Sequence, residues 1–186
     1  MRSPELAIGD GAMGFWAAQE DVYPQTRHQR CWMHKTMNVL NYLPKSTQAK
    51  AKQALHDIWQ VETKVEAEKA FDLLIKTSEP KYSKVTLCLQ RDRAELLAFY
   101  AFPAKHWQSI RTTNPIESFF ATIRHRTNRS KGCLSRDSML HMMFKLGQCA
   151  EKRWRRLRGF DYLAKVITGV KFKDGIEVTA VDQAAA

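Results

Sequence analysis

The chain has 186 residues, 44% of them hydrophobic, so it is long enough to bury a core and is not a disordered sequence. Its net charge of +11 and isoelectric point near 9.7 favour nucleic acid over a small anionic ligand as the partner. No run of about 18 apolar residues and no signal peptide occur in the sequence, which argues against a membrane protein and predicts a cytoplasmic one.

The excess positive charge is concentrated in one segment. Residues 105–158 contain 13 Lys and Arg against 3 Asp and Glu, whereas residues 1–104 contain 14 against 12 and residues 159–186 contain 3 against 4. A solvated basic surface usually mixes both signs, so charge concentrated in this way favours contact with phosphate groups.

The first predicted elements alternate between strand and helix. Residues 6–10, LAIGD, are typical of a short buried strand that ends in an acidic residue, and Gly11 then turns the chain into a helix that Tyr23-Pro24 ends. A second extended stretch at Gln29–Trp32 precedes a helix from about His34 to Leu43. We therefore predict that residues 1–44 are part of an α/β core.

After Pro44 the sequence pattern changes from alternating strand and helix to helix alone. Apolar residues at helical spacing recur from Lys45 to Tyr100, with prolines between the helices and nearly balanced charge. We interpret residues 45–104 as an all-helical insertion between two parts of the α/β domain.

The basic segment follows. Residues 105–175 are predicted to contain a helix from about Pro115 to Arg126, a basic loop, a long helix near Arg136–Leu157 and a short helix around Tyr162–Ile167. The apolar stripe of the long helix, which is rich in methionine, is interpreted as core. Residues 176–186 are predicted to be a disordered tail.

Glu117 can be interpreted in two ways. Asn114 is a good N-cap, Pro115 suits the first helical position and Glu117 can return a hydrogen bond to the cap, which explains these residues without chemistry. The alternative is a carboxylate at the rim of a core, backed by Arg124 on the same side of the helix, which suits phosphate chemistry held by metal ions.

Asp10 leaves a similar choice open. Cleavage and joining of phosphodiesters by two hard cations needs several carboxylates around Mg²⁺ or Mn²⁺, and Asp10 at a strand tip could supply one. Asp before Gly11 is equally typical of an ordinary turn. The fold alone could bring Asp10 and Glu117 together.

Cys31 and His34 form a Cys-x-x-His pair. Tetrahedral zinc requires three or four ligands and no second pair stands nearby in the sequence, so a buried thiol and a positioned imidazole are favoured over a zinc site. The alternative for His34 is that it faces the catalytic carboxylates or a DNA phosphate.

A track of basic residues is the candidate contact surface for double-stranded DNA, because Arg and Lys contacts to phosphate supply affinity that does not depend on sequence. Its first members are Arg111, Arg124, Arg126, Arg129, Lys131 and Arg136. Lys152, Arg153, Arg155 and Arg156 extend it, with a solvated helix face around Trp154 as the equal alternative.

Four blocks of the sequence together resemble a known family. They are IGDGA at residues 8–12, RCWMHK at 30–35, RTTNPIES at 111–118 and KRWRRL at 152–157, in that order. The chain, from about Leu6 to Gly175, is similar in these blocks to the transposases of bacterial Mutator-like insertion sequences.

The resemblance implies a DDE transposase with an RNase-H-like fold, mostly helical here because of the insertion. Asp10 then matches the second catalytic and metal-binding acid, Glu117 the third, and the Cys31–His34 pair a C-x-x-H element of the family. The implied cofactor is Mg²⁺ or Mn²⁺, and the implied partners are transposon ends and target DNA in the bacterial nucleoid, with a homo-oligomer in the full-length family. Because the family's first Asp lies on an upstream strand, we expect a fold truncated at its N-terminus.

Two functions from different classes follow. The first is a transposase that cleaves and joins DNA, and the alternative is a catalytically inactive remnant that only binds DNA. RNA binding by a basic helical face is a more distant third, because the aromatic-rich strands of such modules are missing from the sequence.

Overall fold

A β-α-β unit opens the chain in the computed structural model, which describes residues 2–129 and 135–179. Strand β1 (Leu6–Gly9) and strand β2 (Arg27–Arg30) pair in parallel, and helix α1 (Met13–Val22) forms the crossover between them. Parallel strands cannot be joined by a tight turn, so a helix of this length is the expected connection. The predicted strand, helix and helix end at Tyr23-Pro24 are confirmed.

The next helix, which has nine residues, begins two residues earlier than the sequence pattern indicates. Helix α2 spans Trp32–Leu40, whereas the predicted helix spanned His34–Leu43, so Trp32 starts a helix rather than ending a strand. The backbone NH of Cys31 donates to Gly9 O at 2.9 Å, which completes the parallel ladder immediately before α2 begins. Tertiary pairing therefore fixes this boundary more closely than local propensity does.

The segment predicted to be all-helical is all-helical. It contains α3 (Lys45–Gln60), α4 (Lys64–Ser78), α5 (Ser83–Arg91) and α6 (Arg93–Leu96). Two 3₁₀ turns at Ala98–Ala101 and Ala104–His106 lead into the short helix α7 (Trp107–Ile110).

One hydrophobic core joins α2 to these helices. The indole NH of Trp32 donates to Leu96 O at 2.9 Å, so the first residue of α2 is anchored inside the helical segment. The fully buried residues of this core are Trp32, Val39, Leu55, Ile58, Ala67, Phe71, Val85, Leu89, Leu96, Leu97, Phe99 and Tyr100. The core thus crosses the boundary that we placed at residue 44.

A hairpin near the C-terminus packs on the 3₁₀ turns around residues 98–106. After a 3₁₀ turn at Phe160–Tyr162 and helix α10 (Leu163–Ile167), strands β3 (Phe172–Lys173) and β4 (Ile176–Glu177) pair antiparallel. Residues 176–177, which we assigned to a disordered tail, therefore form a strand. Residues 180–186 of that predicted tail lie outside the described residues.

Gly175 ties this hairpin to the first part of the chain. Its NH donates to Tyr100 O at 3.2 Å, and its carbonyl accepts from the NH of Ala104 at 3.1 Å. Its φ is +79°, and a Cβ built on it would lie 2.5 Å from the Cβ of Ala104, so only glycine permits this approach.

Two helices form a separate unit. Helix α8 spans Asn114–Arg129 and helix α9 spans Arg136–Glu151, with Phe119 packed near Gly147 and edge-on to Trp154 at 5.7 Å between ring centroids. Helix α9 ends six residues before the predicted Leu157, where like charges three and four residues apart disfavour another helical turn. None of its residues is fully buried, so its apolar stripe is not the core that we expected.

The chain divides into two compact units, the first of Met1–Thr112 with Arg158–Ala186 and the second of Thr113–Leu157. This division differs from the predicted one at residues 44, 104 and 175. Over the described residues the protein is mostly helical with two small sheets, which is compatible with the predicted α/β class. Within the part of the chain that is described, no helix combines the length and apolarity needed to cross a membrane.

Candidate active site and nucleic-acid interface

Asp10 lies directly after β1 and is exposed. Its Oδ1 accepts a hydrogen bond from the NH of Ala12 at 3.0 Å, which is the turn geometry that the sequence left open as an alternative. A carboxylate has about four acceptor positions, so this single bond leaves capacity to bind a cation. The turn and the metal-binding interpretations of Asp10 are therefore compatible.

The guanidinium of Arg30 lies against Gly11, the residue after Asp10. Gly11 has a φ of +102°, and a Cβ built on it would fall 1.4 Å from Arg30 Nη1. Arg30 is only 8% exposed, and its Nε lies 3.0 Å from Asp92 Oδ2. A buried arginine therefore connects the turn that carries Asp10 to the helical segment.

Asp92 is paired with two buried cations, Arg30 and Lys35, and with the exposed Arg91. Lys35, which is 1% exposed, contacts Asp92 Oδ2 and also donates to Cys88 O at 2.7 Å, while Arg91 Nε lies 3.1 Å from Asp92 Oδ1. Burial alone would raise the pKa of Asp92, but contact with Lys35 and the charges of Lys35 and Arg30 outweigh it and hold that pKa below its usual value. Asp92 is therefore a carboxylate that balances buried cations.

Cys31 and His34 lie at the start of α2. Cys31 is buried and precedes the helix, and His34 is half-buried in its first turn. Among residues 2–129 and 135–179, no group of three or more His, Cys, Asp or Glu side chains could hold a metal ion.

Glu117 is exposed in the first turn of α8. Its NH donates to Thr113 O at 3.0 Å, and the Thr113 hydroxyl donates to Glu117 Oε1. The helix begins at Asn114, so Thr113, and not the predicted Asn114, precedes its first residue. A carboxylate at this end of a helix is stabilised by the positive end of the helix dipole.

The two acids belong to different units, Asp10 to the first and Glu117 to the second. Each is an exposed carboxylate held by a backbone or side-chain hydrogen bond in its own unit.

The basic residues of the second unit are all exposed where they are described. They are Arg124, Arg126, Arg129, Arg136, Lys145, Lys152, Arg153, Arg155 and Arg156, all of which except Lys145 belong to the predicted track. Lys131, the remaining member of the predicted track in this unit, lies outside the described residues. Exposed cations in this number suit contact with a polyanion.

Arg111 differs from the other members of the predicted track. It is half-buried in the first unit, with its guanidinium carbon 4.9 Å from the ring centroid of Trp59 and 5.5 Å from that of Phe99. Its Nη1 donates to Trp59 O, and burial lowers its pKa. Arginine remains charged in proteins, so Arg111 is a cation packed between two aromatic rings.

Sequence reasoning missed Arg30, Lys35 and Asp92. Arg30 and Lys35 are the first and last residues of the block RCWMHK, but nothing in that block indicates that both cations are buried. Asp92 stands between Arg91 and Arg93 in a helical stretch and resembles an ordinary surface residue. The pairing depends on a contact between α2 and the end of α5, which only the fold provides.

Comparison with known proteins gives consistent results. A family model described as Transposase, Mutator family, matches residues 1–156. The transposase for insertion sequence element IST2 of Acidithiobacillus ferrooxidans is 56% identical over 174 residues, which are 94% of this chain and 59% of that protein. The transposase for insertion sequence element IS6120 of Mycolicibacterium smegmatis is 45% identical over 175 residues, 94% of this chain and 54% of that protein. The chain thus spans somewhat more than half the length of these two relatives.

Proposed function

This chain belongs to the Mutator family of transposases, and from that membership we propose that it is the part of an insertion-sequence transposase that cleaves DNA at transposon ends and joins them to a target. The observation that carries the proposal is the placement of Asp10. It is an exposed carboxylate directly after a strand of a parallel β-α-β unit, within the residues that the family model matches.

We infer an RNase-H-like catalytic core of the DDE type. The parallel pairing of β1 with β2, with Asp10 directly after β1, supports this inference. Glu117 would supply a second acid from the first turn of α8.

Mg²⁺ or Mn²⁺ would be the cofactor. Both Asp10 and Glu117 are exposed carboxylates, and hard cations prefer oxygen ligands, so the donor chemistry of these residues fits such an ion. The bound ions would supply activation of the attacking oxygen and stabilisation of the leaving oxygen.

The chain's own residues have two tasks in this proposal. The turn held by the Asp10–Ala12 hydrogen bond and by Arg30 fixes the position of the Asp10 carboxylate. The exposed arginines of α8 bind the phosphates of double-stranded DNA, which aligns the strand to be cut. We also propose that the complete transposase acts as a homo-oligomer on DNA of the bacterial nucleoid.

Single-turnover cleavage tests the catalytic part. Duplex DNA that carries the ends of the encoding insertion sequence is incubated with Mn²⁺ and the unsubstituted chain, Asp10→Asn or Glu117→Gln. The matched controls are Asp21→Asn in the first unit and Glu151→Gln in the second, each of which removes one exposed negative charge. We expect cleavage to fall about a hundredfold or more in the two test variants and to persist in the controls.

DNA binding is measured in parallel. Both test variants should bind the duplex at least as tightly as the unsubstituted chain, because each substitution removes a negative charge. Cleavage that survives Asp10→Asn and Glu117→Gln would contradict the catalytic assignment. Binding without cleavage by the unsubstituted chain would instead favour the inactive DNA-binding alternative.

A further inference from the structure

The first unit contains a cleft of about 730 Å³, and of the described members of the predicted DNA track only Arg111 lines it. It lies between Gln60 at the end of α3, residues 104–111 and residues 158–159. The lining residues whose side chains carry N–H donors are Gln60, Lys105, Trp107, Gln108, Arg111 and Arg158. Among the described residues that line it, none is acidic.

The charge of this cleft follows a simple pattern in the sequence. Residues 105–158 contain 13 Lys and Arg, of which ten lie in the second unit. The other three are Lys105, Arg111 and Arg158, and all three line the cleft. The three cations of the basic segment that belong to the first unit therefore all line this one cleft. No carboxylate lies among the described lining residues to balance their charge.

Arg111 is held in place before any ligand binds, and Arg158 is oriented by one exposed hydrogen bond. The Arg111 guanidinium is packed between Trp59 and Phe99, and its Nε is buried without a hydrogen-bond partner among the described residues. Arg158 Nη1 donates to Gln108 Oε1 at 3.0 Å. Side chains that are ordered in advance lose less entropy when they bind a ligand.

Lys105 is only loosely engaged. Its Nζ lies 5.0 Å from the centroid of the Tyr162 ring and 4.0 Å from Asp161 Oδ2, and the side chains of Lys105 and Asp161 are both exposed. An exposed ion pair of this length contributes little, so Lys105 can redirect its ammonium group towards an anion.

Gly159 brings two of these cations together. Its φ is +69°, and a Cβ built on it would lie 2.6 Å from the Cβ of Lys105. The carbonyl of Gly159 is hydrogen-bonded to Nε2 of His106 at 2.8 Å, and His106 is 3% exposed. The wall between Lys105 and Arg158 is therefore a tightly packed part of the fold and not a chance meeting of flexible side chains.

We propose that this cleft binds phosphodiester groups of the DNA backbone, as a contact site in the first unit separate from the exposed cations of the second. Arginine binds phosphate through paired N–H donors, and the amides of Gln60 and Gln108 can donate to phosphate or sugar oxygens. This inference rests on the proposed function. The chemistry of the cleft would suit a free phosphate compound as well as the DNA backbone, and we choose DNA because the proposed function is to act on DNA.

The salt dependence of DNA binding tests the inference. Each phosphate contact that is lost lowers the slope of log K against log salt concentration by about 0.9 for duplex DNA. We therefore expect the double variant Lys105→Gln/Arg158→Gln to reduce the slope by about 1.8 in fluorescence anisotropy titrations. The control Lys52→Gln/Lys81→Gln removes the same charge from exposed sites outside the cleft lining and should leave the slope unchanged.

Each result has a distinct meaning. Thermal unfolding should be nearly the same for both double variants, because all four residues are exposed. If the unsubstituted chain binds DNA and the cleft variant keeps its slope, the cleft inference is wrong and the proposed function stands. If the unsubstituted chain does not bind DNA at any salt concentration, both are wrong.

Titration with inorganic pyrophosphate distinguishes the two sources of phosphate. If the cleft variant both loses weak pyrophosphate binding and shows the reduced salt slope for DNA, the result agrees with a contact to the DNA backbone. Saturable pyrophosphate binding that the cleft variant loses while its DNA slope is unchanged would overturn the assignment to DNA.

Discussion

The guanidinium of Arg30 occupies the space that a side chain on Gly11 would need. The built Cβ position of Gly11 is 1.4 Å from Arg30 Nη1, and the φ of Gly11 is +102°. Two independent requirements, one steric and one conformational, thus restrict this position to glycine. The turn that presents Asp10 depends on both.

Gly11→Ala should therefore destabilise the protein. The unfavourable φ alone costs about 1–3 kcal/mol, and displacement of Arg30 from Asp92 adds to that. Gly14→Ala is the control, because Gly14 lies in α1 and a Cβ built on it meets no atom within 4 Å. It should stabilise the protein by about 0.5–1 kcal/mol in urea unfolding. Equal effects of the two substitutions would contradict the packing described for Arg30.

Asp92→Asn should lower the free energy of unfolding at neutral pH by about 3–5 kcal/mol, because Lys35 and Arg30 would keep their burial and lose their counter-charge. Asp57→Asn, at an exposed position in α3, should change it by less than about 0.5 kcal/mol. Urea unfolding at pH 7 measures both.

The same carboxylate predicts a pH dependence. The pKa of Asp92 is lowered in the folded protein, so its stabilising contribution is complete above the ordinary Asp pKa of about 3.9 and is lost as pH falls through that value towards the folded one. Asp92→Asn should consequently flatten the dependence of the unfolding free energy on pH below about pH 5. A variant as steep as the unsubstituted chain in that range would show that other carboxylates cause the dependence.

Arg111→Lys should be destabilising although it keeps the charge. Lysine lacks the planar guanidinium that packs between Trp59 and Phe99, and a desolvated cation–π contact contributes about 2 kcal/mol. Arg27→Lys, at an exposed position in β2, should have little effect on the melting temperature. If both substitutions were neutral, Arg111 would be a surface cation like the others.

The start of α8 offers a direct comparison of two neighbours. Thr113→Ala removes the hydroxyl that donates to Glu117 and should destabilise the helix start by about 1 kcal/mol. Asn114→Ala replaces a poor helix former inside the first turn with a good one and should be neutral or slightly stabilising. Thermal unfolding of the two variants decides between them, and the opposite order would restore Asn114 as the cap.

Much of the local structure could be predicted because it depends on local signals. Tyr23-Pro24 follows the end of α1, and Pro44 separates α2 from α3, since proline in the interior of a helix removes a hydrogen bond and clashes with the preceding turn. Local signals also predicted that Asp10 and Glu117 lie at the ends of elements, because Gly11 follows Asp10 and Asn114-Pro115 precedes Glu117. The Asp174-Gly175 pair was a recognisable hairpin signal as well, because both residues have positive φ in the two-residue turn, but the strands beside it are too short to show alternation.

Features that depend on distant contacts could not be predicted. Lys35 resembles a surface residue of an amphipathic helix, and its burial against Asp92 requires α2 and α5 to pack together. The cleft likewise combines Gln60, Lys105 and Arg158, which are far apart in the sequence. Charge composition located the basic segment, but only the fold separates the three cations of the first unit from those of the second.

The hairpin that Gly175 attaches to Tyr100 and Ala104 has a consequence for how the protein is made. The first unit consists of two stretches of chain, and the whole second unit is synthesised between them. More than forty residues must therefore be translated after the first stretch before Phe172 and Gly175 are available to complete the packing of the first unit. Since domains generally fold as units while they are translated, the last step in assembling the first unit comes after the second unit has already left the ribosome's peptidyl transferase centre.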